Sequence, residues 1–224
     1  MSDPIRSAVH RQIAVQRCDA NIGAEPYWAT YTVEMTDNQT VLDALLAIAD
    51  DVDPTLAFRR TCRSGICGSC AGQVNGRACL FCQLSIGEAT GGRSEAPVRV
   101  QPLSGFTVLR DLVVDMDPFF EAFELAGAWL TPSPQYDGTL SPDVARALWP
   151  AMTCVMCGIC ARGAQASAEP HPAVVGRILT LAHDPRDATG GERLRALGAP
   201  PDRRFADWLK AVCPKGVDVT GLVE

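Results

Sequence analysis

Ten of the 224 residues are cysteine, and eight of those fall in two tight groups. The first comprises Cys62, Cys67, Cys70, Cys79 and Cys82, the second Cys154, Cys157 and Cys160, while Cys18 and Cys213 stand alone. The stretch Cys62-Arg63-Ser64-Gly65-Ile66-Cys67-Gly68-Ser69-Cys70 is a C-x4-C-x2-C loop. With a further cysteine downstream, this is the plant-type spacing for a [2Fe-2S] cluster. Three thiolates must converge from one short loop on a compact, negatively charged cluster, and the backbone must curl tightly enough to aim N–H groups at sulfur. Gly65 and Gly68 permit the dihedrals this requires. The separate fourth ligand is Cys82 or Cys79 by spacing alone. Zinc, which favours paired C-x2-C hooks, fits the four-residue gap poorly.

The second group, Cys154-Val155-Met156-Cys157-Gly158-Ile159-Cys160, is C-x2-C-x2-C, and Cys213-Pro214 follows far downstream. That is the bacterial-type [4Fe-4S] signature. Three cysteines at successive three-residue steps grip three corners of a cubane, a remote one takes the fourth, and the proline turns the chain away from the cluster. His10, His171 and His183 lie outside both groups. A Rieske centre, which needs two histidines among its ligands, is therefore excluded.

The elements that must position these loops differ between the halves. Ala29, Tyr31, Val33 and Met35 alternate with polar residues, the period of a half-buried strand, and Ile13 and Val15 hint at another. Thr40 is placed to cap a helix with Asp43 three residues on, and Val41, Leu42, Leu45, Leu46 and Ala49 form its apolar face. Strand, strand, helix and then a metal-binding loop is an α+β order. The second half reads as helical. Asp117-Pro118 and Ser141-Pro142 each set an N-cap before a proline; Pro172 opens a helix that Asp184-Pro185 closes; and Phe205, Trp208, Leu209 and Val212 stripe a last helix ending at Cys213. Pro- and Gly-bearing segments between the cysteine groups imply two domains, residues 1–104 and 105–224.

Length suffices for a core without covalent staples. The formal net charge of -6 argues against non-specific nucleic-acid binding. The start of the chain lacks an apolar signal region, so the expectation is a cytoplasmic protein, and the disulfide reading loses its support. No uncharged stretch is long enough for a bilayer span, so membrane contact must run through a partner. Residues 59–104 carry six arginines against two acids, and residues 105–150 carry two arginines against seven acids. A basic docking face around the first loop is one reading of this, with Arg59, Arg60 and Arg63 nearest; ordinary solvated surface is the other. No phosphate loop or nucleophilic triad stands out.

With both cysteine runs in view, the chain resembles the iron-sulfur subunit of succinate dehydrogenase and fumarate reductase nearly end to end. The resemblance also rests on Asp53-Pro54-Thr55-Leu56, Phe58-Arg59-Arg60, Leu80 before Cys82, Val114-Asp115-Met116, Asp184-Pro185-Arg186-Asp187 and Cys213-Pro214-Lys215-Gly216. It implies an N-terminal β-grasp ferredoxin domain followed by an all-α helical ferredoxin domain. It implies Cys62, Cys67, Cys70 and Cys82 as ligands of [2Fe-2S], and Cys154, Cys157, Cys160 and Cys213 as ligands of [4Fe-4S]. It also implies an FAD-bearing flavoprotein partner and a chain without a substrate site of its own. In the family a third, [3Fe-4S] cluster lies beside a quinone. The positions of its ligands fall here on Ala164, Arg203 and Leu209, and the aromatic pair expected on the quinone side is replaced within Gln165 to Pro170. The expectation is two clusters and no [3Fe-4S], with electrons exchanged at the helical domain with a membrane-anchor subunit or a soluble carrier. A free-standing two-cluster ferredoxin is the alternative.

Overall fold

In the computed structural model, which describes residues 8–20, 23, 25–93, 96–161, 171–198 and 201–223, the alternating segment is strand β2 (Tyr27–Met35). It lies antiparallel to β1 (Val9–Arg17), with Ile13 opposite Tyr31. Ile13, Val15, Tyr31, Val33 and Met35 are buried, as the period-2 pattern requires. Helix α1 (Val41–Ala47) begins with the expected reciprocal cap: Thr40 Oγ1 accepts from the Asp43 N–H, and the Asp43 carboxylate accepts from the Thr40 N–H. Val41, Leu42, Ala44, Leu45 and Ile48 bury its apolar face. Strands β3 (Ala71–Val74), β4 (Arg77–Leu80) and β5 (Val98–Gln101) complete a sheet of order β2-β1-β5-β3-β4, and helix α2 (Ile86–Thr90) lies between β4 and β5 in sequence. The β1–β5 pair is parallel and the other neighbours are antiparallel.

A hairpin follows, β6 (Val108–Arg110) and β7 (Val113–Val114). It moves the boundary. The chain divides into two compact units after Asp115 rather than after Ser104. The cause is Asp111 at the hairpin's turn. Its carboxylate accepts from the N–H groups of Cys18 at 3.0 Å and Ala57 at 2.8 Å, and it stands 2.9 Å from Arg17 Nε. Its own N–H donates to the Cys18 carbonyl, and Leu112 donates to Ala57. Arg17 in turn donates to Tyr31, Asp53 and Thr55. Both Arg17 and Asp111 are buried, so this knot fixes the segment leading into the first cysteine loop. Asp111→Ala would leave two amides without their acceptor and take from the buried guanidinium one of its two carboxylates. It is expected to destabilise the first unit by about 3 kcal/mol, read as a lowered denaturant midpoint.

The second unit holds α3 (Asp117–Leu125), α4 (Pro142–Met152), α5 (Pro172–Ala182), α6 (Gly190–Ala196) and α7 (Arg203–Val212). Ser141 caps α4 by accepting from the Val144 N–H. Asp117 is already the first helical residue of α3 and is not its cap; the preceding Met116 makes no side-chain capping bond. Helix α5 is capped by His171 Nδ1, which accepts from the Val174 N–H at 3.4 Å. Leu148, Ala151, Leu179, Ala206, Leu209, Val217, Val219 and Leu222 form the main core. The motif Asp184-Pro185-Arg186-Asp187 is a structural knot. Asp184 receives the Arg186 guanidinium, and fully buried Asp187 receives Arg193 and the Thr131 N–H. Among the described residues no helix is long and apolar enough to cross a membrane.

Candidate iron-sulfur sites

The first cysteine loop is built as a cage of amides. Cys62 Sγ accepts from the N–H groups of Ser64 at 3.4 Å, Ile66 at 3.3 Å and Cys67 at 3.3 Å. Cys82 Sγ accepts from the Gly65 N–H at 3.2 Å, which joins the downstream segment to the loop. The donations from Ser64, Cys67 and Ile66 lower the Cys62 thiol to about 6, so it offers a thiolate at neutral pH. Burial pushes Cys70 the other way, up to about 12. A cation that binds thiolate must repay that cost, as iron does. Gly65 sits at φ +69°, a left-handed backbone that favours glycine, and in that conformation its N–H reaches Cys82.

The Cys82 segment is held from two sides. The first amides of α1 donate to it, Leu42 to the Phe81 carbonyl and Val41 to that of Leu84, while the Phe81 N–H donates to Cys70. The Phe81 ring is buried against Gly72, where a Cβ would come within 2.1 Å of it. Cys79 lies on β4 opposite Gly72, and burial raises its thiol to about 12. The structure thus joins Cys82, through Gly65, to the loop of Cys62, Cys67 and Cys70. Cys18 serves the Asp111 knot through its backbone.

Of the arginines nearest the loop, Arg59 donates to the Val114 carbonyl and Arg60 lies 3.6 Å from Asp50 and over the Phe58 ring. Arg63 is exposed at φ 56°. A docking face built from all three is therefore too generous, because Arg59 is committed to the fold. Among the described residues no three His, Cys, Asp or Glu are grouped to grip a single ion. A multi-iron cluster spreads its thiolates wider than one ion does.

In the second unit the C-x2-C-x2-C run follows α4 directly. Met156 takes a left-handed backbone at φ 50°, Gly158 follows at φ 80°, and a 3-10 turn over Ile159–Ala161 presents Cys160. Helix α7 ends at Cys213, whose N–H donates to Leu209 and whose backbone is already extended before Pro214. The Asp218 N–H donates to the Pro150 carbonyl, tying the segment after Cys213 to α4. Cys154, Cys160 and Cys213 share one cavity of about 260 Å³, with Phe120, Phe123 and Leu209 among its walls. Burial pushes the Cys157 thiol to about 11 and the Cys160 thiol to about 12, and neighbouring thiols, Cys213 among them, add to both rises. Thiols that repel one another's ionisation in this way are close together and suit a shared cationic guest.

Leu209 is buried, 2% exposed, within the main core, and Arg203 is exposed and pairs with Asp207 at 3.3 Å. Ala164 and residues Gln165 to Pro170 lie outside the described residues. Sequence reasoning missed the Arg17–Asp111 knot, the His171 cap and helix α6. The Asp53-Pro54-Thr55 motif was a signal for the first, since Asp53 accepts from both Arg17 and Tyr31.

Residues 12–121 match the family described as a 2Fe-2S iron-sulfur cluster binding domain. The succinate dehydrogenase iron-sulfur subunit of Paracoccus denitrificans is 34% identical over 93% of this chain and 83% of its own length. The mitochondrial one of Dictyostelium discoideum is 33% identical over 91% of this chain and 77% of its own. The fumarate reductase iron-sulfur subunit of Mycobacterium tuberculosis is 33% identical over 94% and 88%. A chain of the Mycobacterium smegmatis Sdh1 complex in the apo form shares the mixed α+β fold, with a TM-score of 0.77 at 23% identity over 96% of this chain and 92% of that one. The chain belongs to the family of iron-sulfur subunits of succinate dehydrogenase and fumarate reductase.

Proposed function

We propose that this chain is the electron-transfer subunit of a succinate dehydrogenase/fumarate reductase-like flavoprotein complex. In this reading Cys62, Cys67, Cys70 and Cys82 hold a [2Fe-2S] cluster in a β-grasp domain, and Cys154, Cys157, Cys160 and Cys213 hold a [4Fe-4S] cluster in a helical ferredoxin domain. When bound, such clusters supply one-electron transfer. The chain's own residues do the rest. The Ser64, Ile66 and Cys67 amides stabilise negative charge on Cys62, the Gly65 amide does the same on Cys82, and the helical core packs against Cys160 and Cys213. The mixed sheet with β1 and β5 parallel at its centre supports the β-grasp reading.

FAD belongs to the partner subunit, and substrate chemistry is done there. The wire ends at [4Fe-4S], because Leu209 is packed into the core and Arg203 faces solvent where a third cluster would need thiolates. Electrons pass at the helical domain to or from a soluble carrier or a membrane-anchor subunit, and any membrane contact of this otherwise cytoplasmic chain runs through such a partner. The observation that carries the reading is the amide cage that brings Cys62 and Cys82 together around one loop.

Affinity purification of the tagged chain from its native cell tests the assignment. Stoichiometric recovery of an FAD-bearing protein is the expected result. Recovery of the chain alone, with both clusters and no flavin, would establish the free-standing ferredoxin reading in its place.

A further inference from the structure

The cavity shared by Cys154, Cys160 and Cys213 is also lined by Arg177. Among the described residues that line it, Arg177 is the only charged side chain, and Phe120, Phe123, Ala128, Ala151, Met152 and Leu209 make much of the rest apolar. Arg177 sits on α5, half-buried, beside Gly176, which also lines the cavity. Elsewhere in this unit Arg146, Arg186, Arg193 and Arg203 each face an aspartate. Among the described residues no carboxylate pairs with Arg177. A guanidinium half out of water without a carboxylate is a costly arrangement unless another negative charge faces it.

The negative charge at hand is sulfur. Cys154, Cys160 and Cys213 line the same cavity as Arg177, and a cluster held there would place its thiolates and its own negative charge before the guanidinium. This inference rests on the proposed [4Fe-4S] site. We propose that Arg177, the one cation among the described residues lining that cavity, raises the reduction potential of the cluster there and so makes the helical unit an electron acceptor.

The step is a one-electron reduction. The flavoprotein partner gives up the electron by way of the first cluster. The four Cys–Fe bonds persist, no proton is bound, and the second site becomes one charge more negative. A fixed positive charge in an apolar wall stabilises the reduced, more negative site more than the oxidised one, because the interaction grows with the product of the two charges. The effect matters most in a chain with no thiolates for a third cluster, because the second site must then hold the electron until the outgoing partner takes it.

Redox titration of the purified complex, followed by EPR, tests the proposal with the [2Fe-2S] signal as an internal control. R177Q should lower the ratio of reduced to oxidised [4Fe-4S] cluster at a fixed potential about tenfold, a downward shift of about 59 mV. The [2Fe-2S] midpoint should stay in place, and R177K should recover most of the shift. R177H gives a second reading in one folded protein, since its midpoint should rise as pH falls through the imidazole range while the wild-type midpoint does not. An R177Q protein with intact cluster and unchanged midpoint would overturn the proposal. So would R177K shifting as far as R177Q, which marks a packing role, or an R177H midpoint flat with pH. Failure of the underlying site assignment looks different, with no [4Fe-4S] signal in the wild-type protein at all.

Discussion

Cys213→Ala is expected to strip the second unit of its cluster while sparing the first. Iron and acid-labile sulfide should fall together from about six to about two per chain, and the EPR signal that survives reduction should be that of [2Fe-2S] alone. The reasons are local. Cys213 arrives from the end of α7, far in sequence from Cys154, Cys157 and Cys160, and it is the strut that closes their cavity. It also packs against the core of Leu148, Leu179 and Leu209. Removing it costs a ligand and a tether at once, and cluster binding energy is folding energy for such a unit. The unit should therefore unfold at lower temperature as well, seen by calorimetry as loss of one transition while that of the first unit persists.

Leu209→Ala is expected to destabilise the same unit by about 3 kcal/mol, because a fully buried leucine leaves both lost transfer energy and a cavity. Leu209 contacts the space above Gly176, where a Cβ would lie only 3.3 Å from Leu209 Cδ2. Arg203→Ala provides the contrast. Its exposed pair with Asp207 is worth little, so stability should change by less than about 0.5 kcal/mol. Both positions stand where the family resemblance places thiolates of a third cluster, and the two expected costs show how differently they are used here. One has become core and the other has become surface. Denaturant unfolding of the two variants measures both.

Much of this was legible because it is local. The cysteine spacings, the Thr40–Asp43 cap, the alternation in β2 and the Ser141-Pro142 start each depend on residues within one or two turns of each other. The parts that were not legible depend on partners far apart in sequence. The domain boundary moved because Asp111 bonds Cys18 and Ala57, contacts that no run of prolines and glycines between the cysteine groups reveals. Helix α6 was missed because it opens on two glycines and Thr189 makes no capping bond. The start of α5 carried a cap of an unusual kind, since His171 accepts through a ring nitrogen. At the candidate sites the ligand types could be read from spacing. The choice between Cys79 and Cys82 was left to resemblance, and in the structure it is the Gly65 amide that links Cys82 to the loop. Arg177 had no motif to announce it, because its meaning lies in the cavity wall it shares with cysteines from two other segments.

The central claim is a two-cluster wire that ends at [4Fe-4S]. It is tested most directly by EPR of the anaerobically purified, oxidised complex, combined with iron determination on the same sample. The account predicts about six iron atoms per chain and no [3Fe-4S] signal before reduction, followed by [2Fe-2S] and [4Fe-4S] signals after it. A stoichiometric [3Fe-4S] signal in the oxidised sample, at about nine iron atoms per chain, would contradict it; the iron count separates that result from a damaged cubane, which would leave about five.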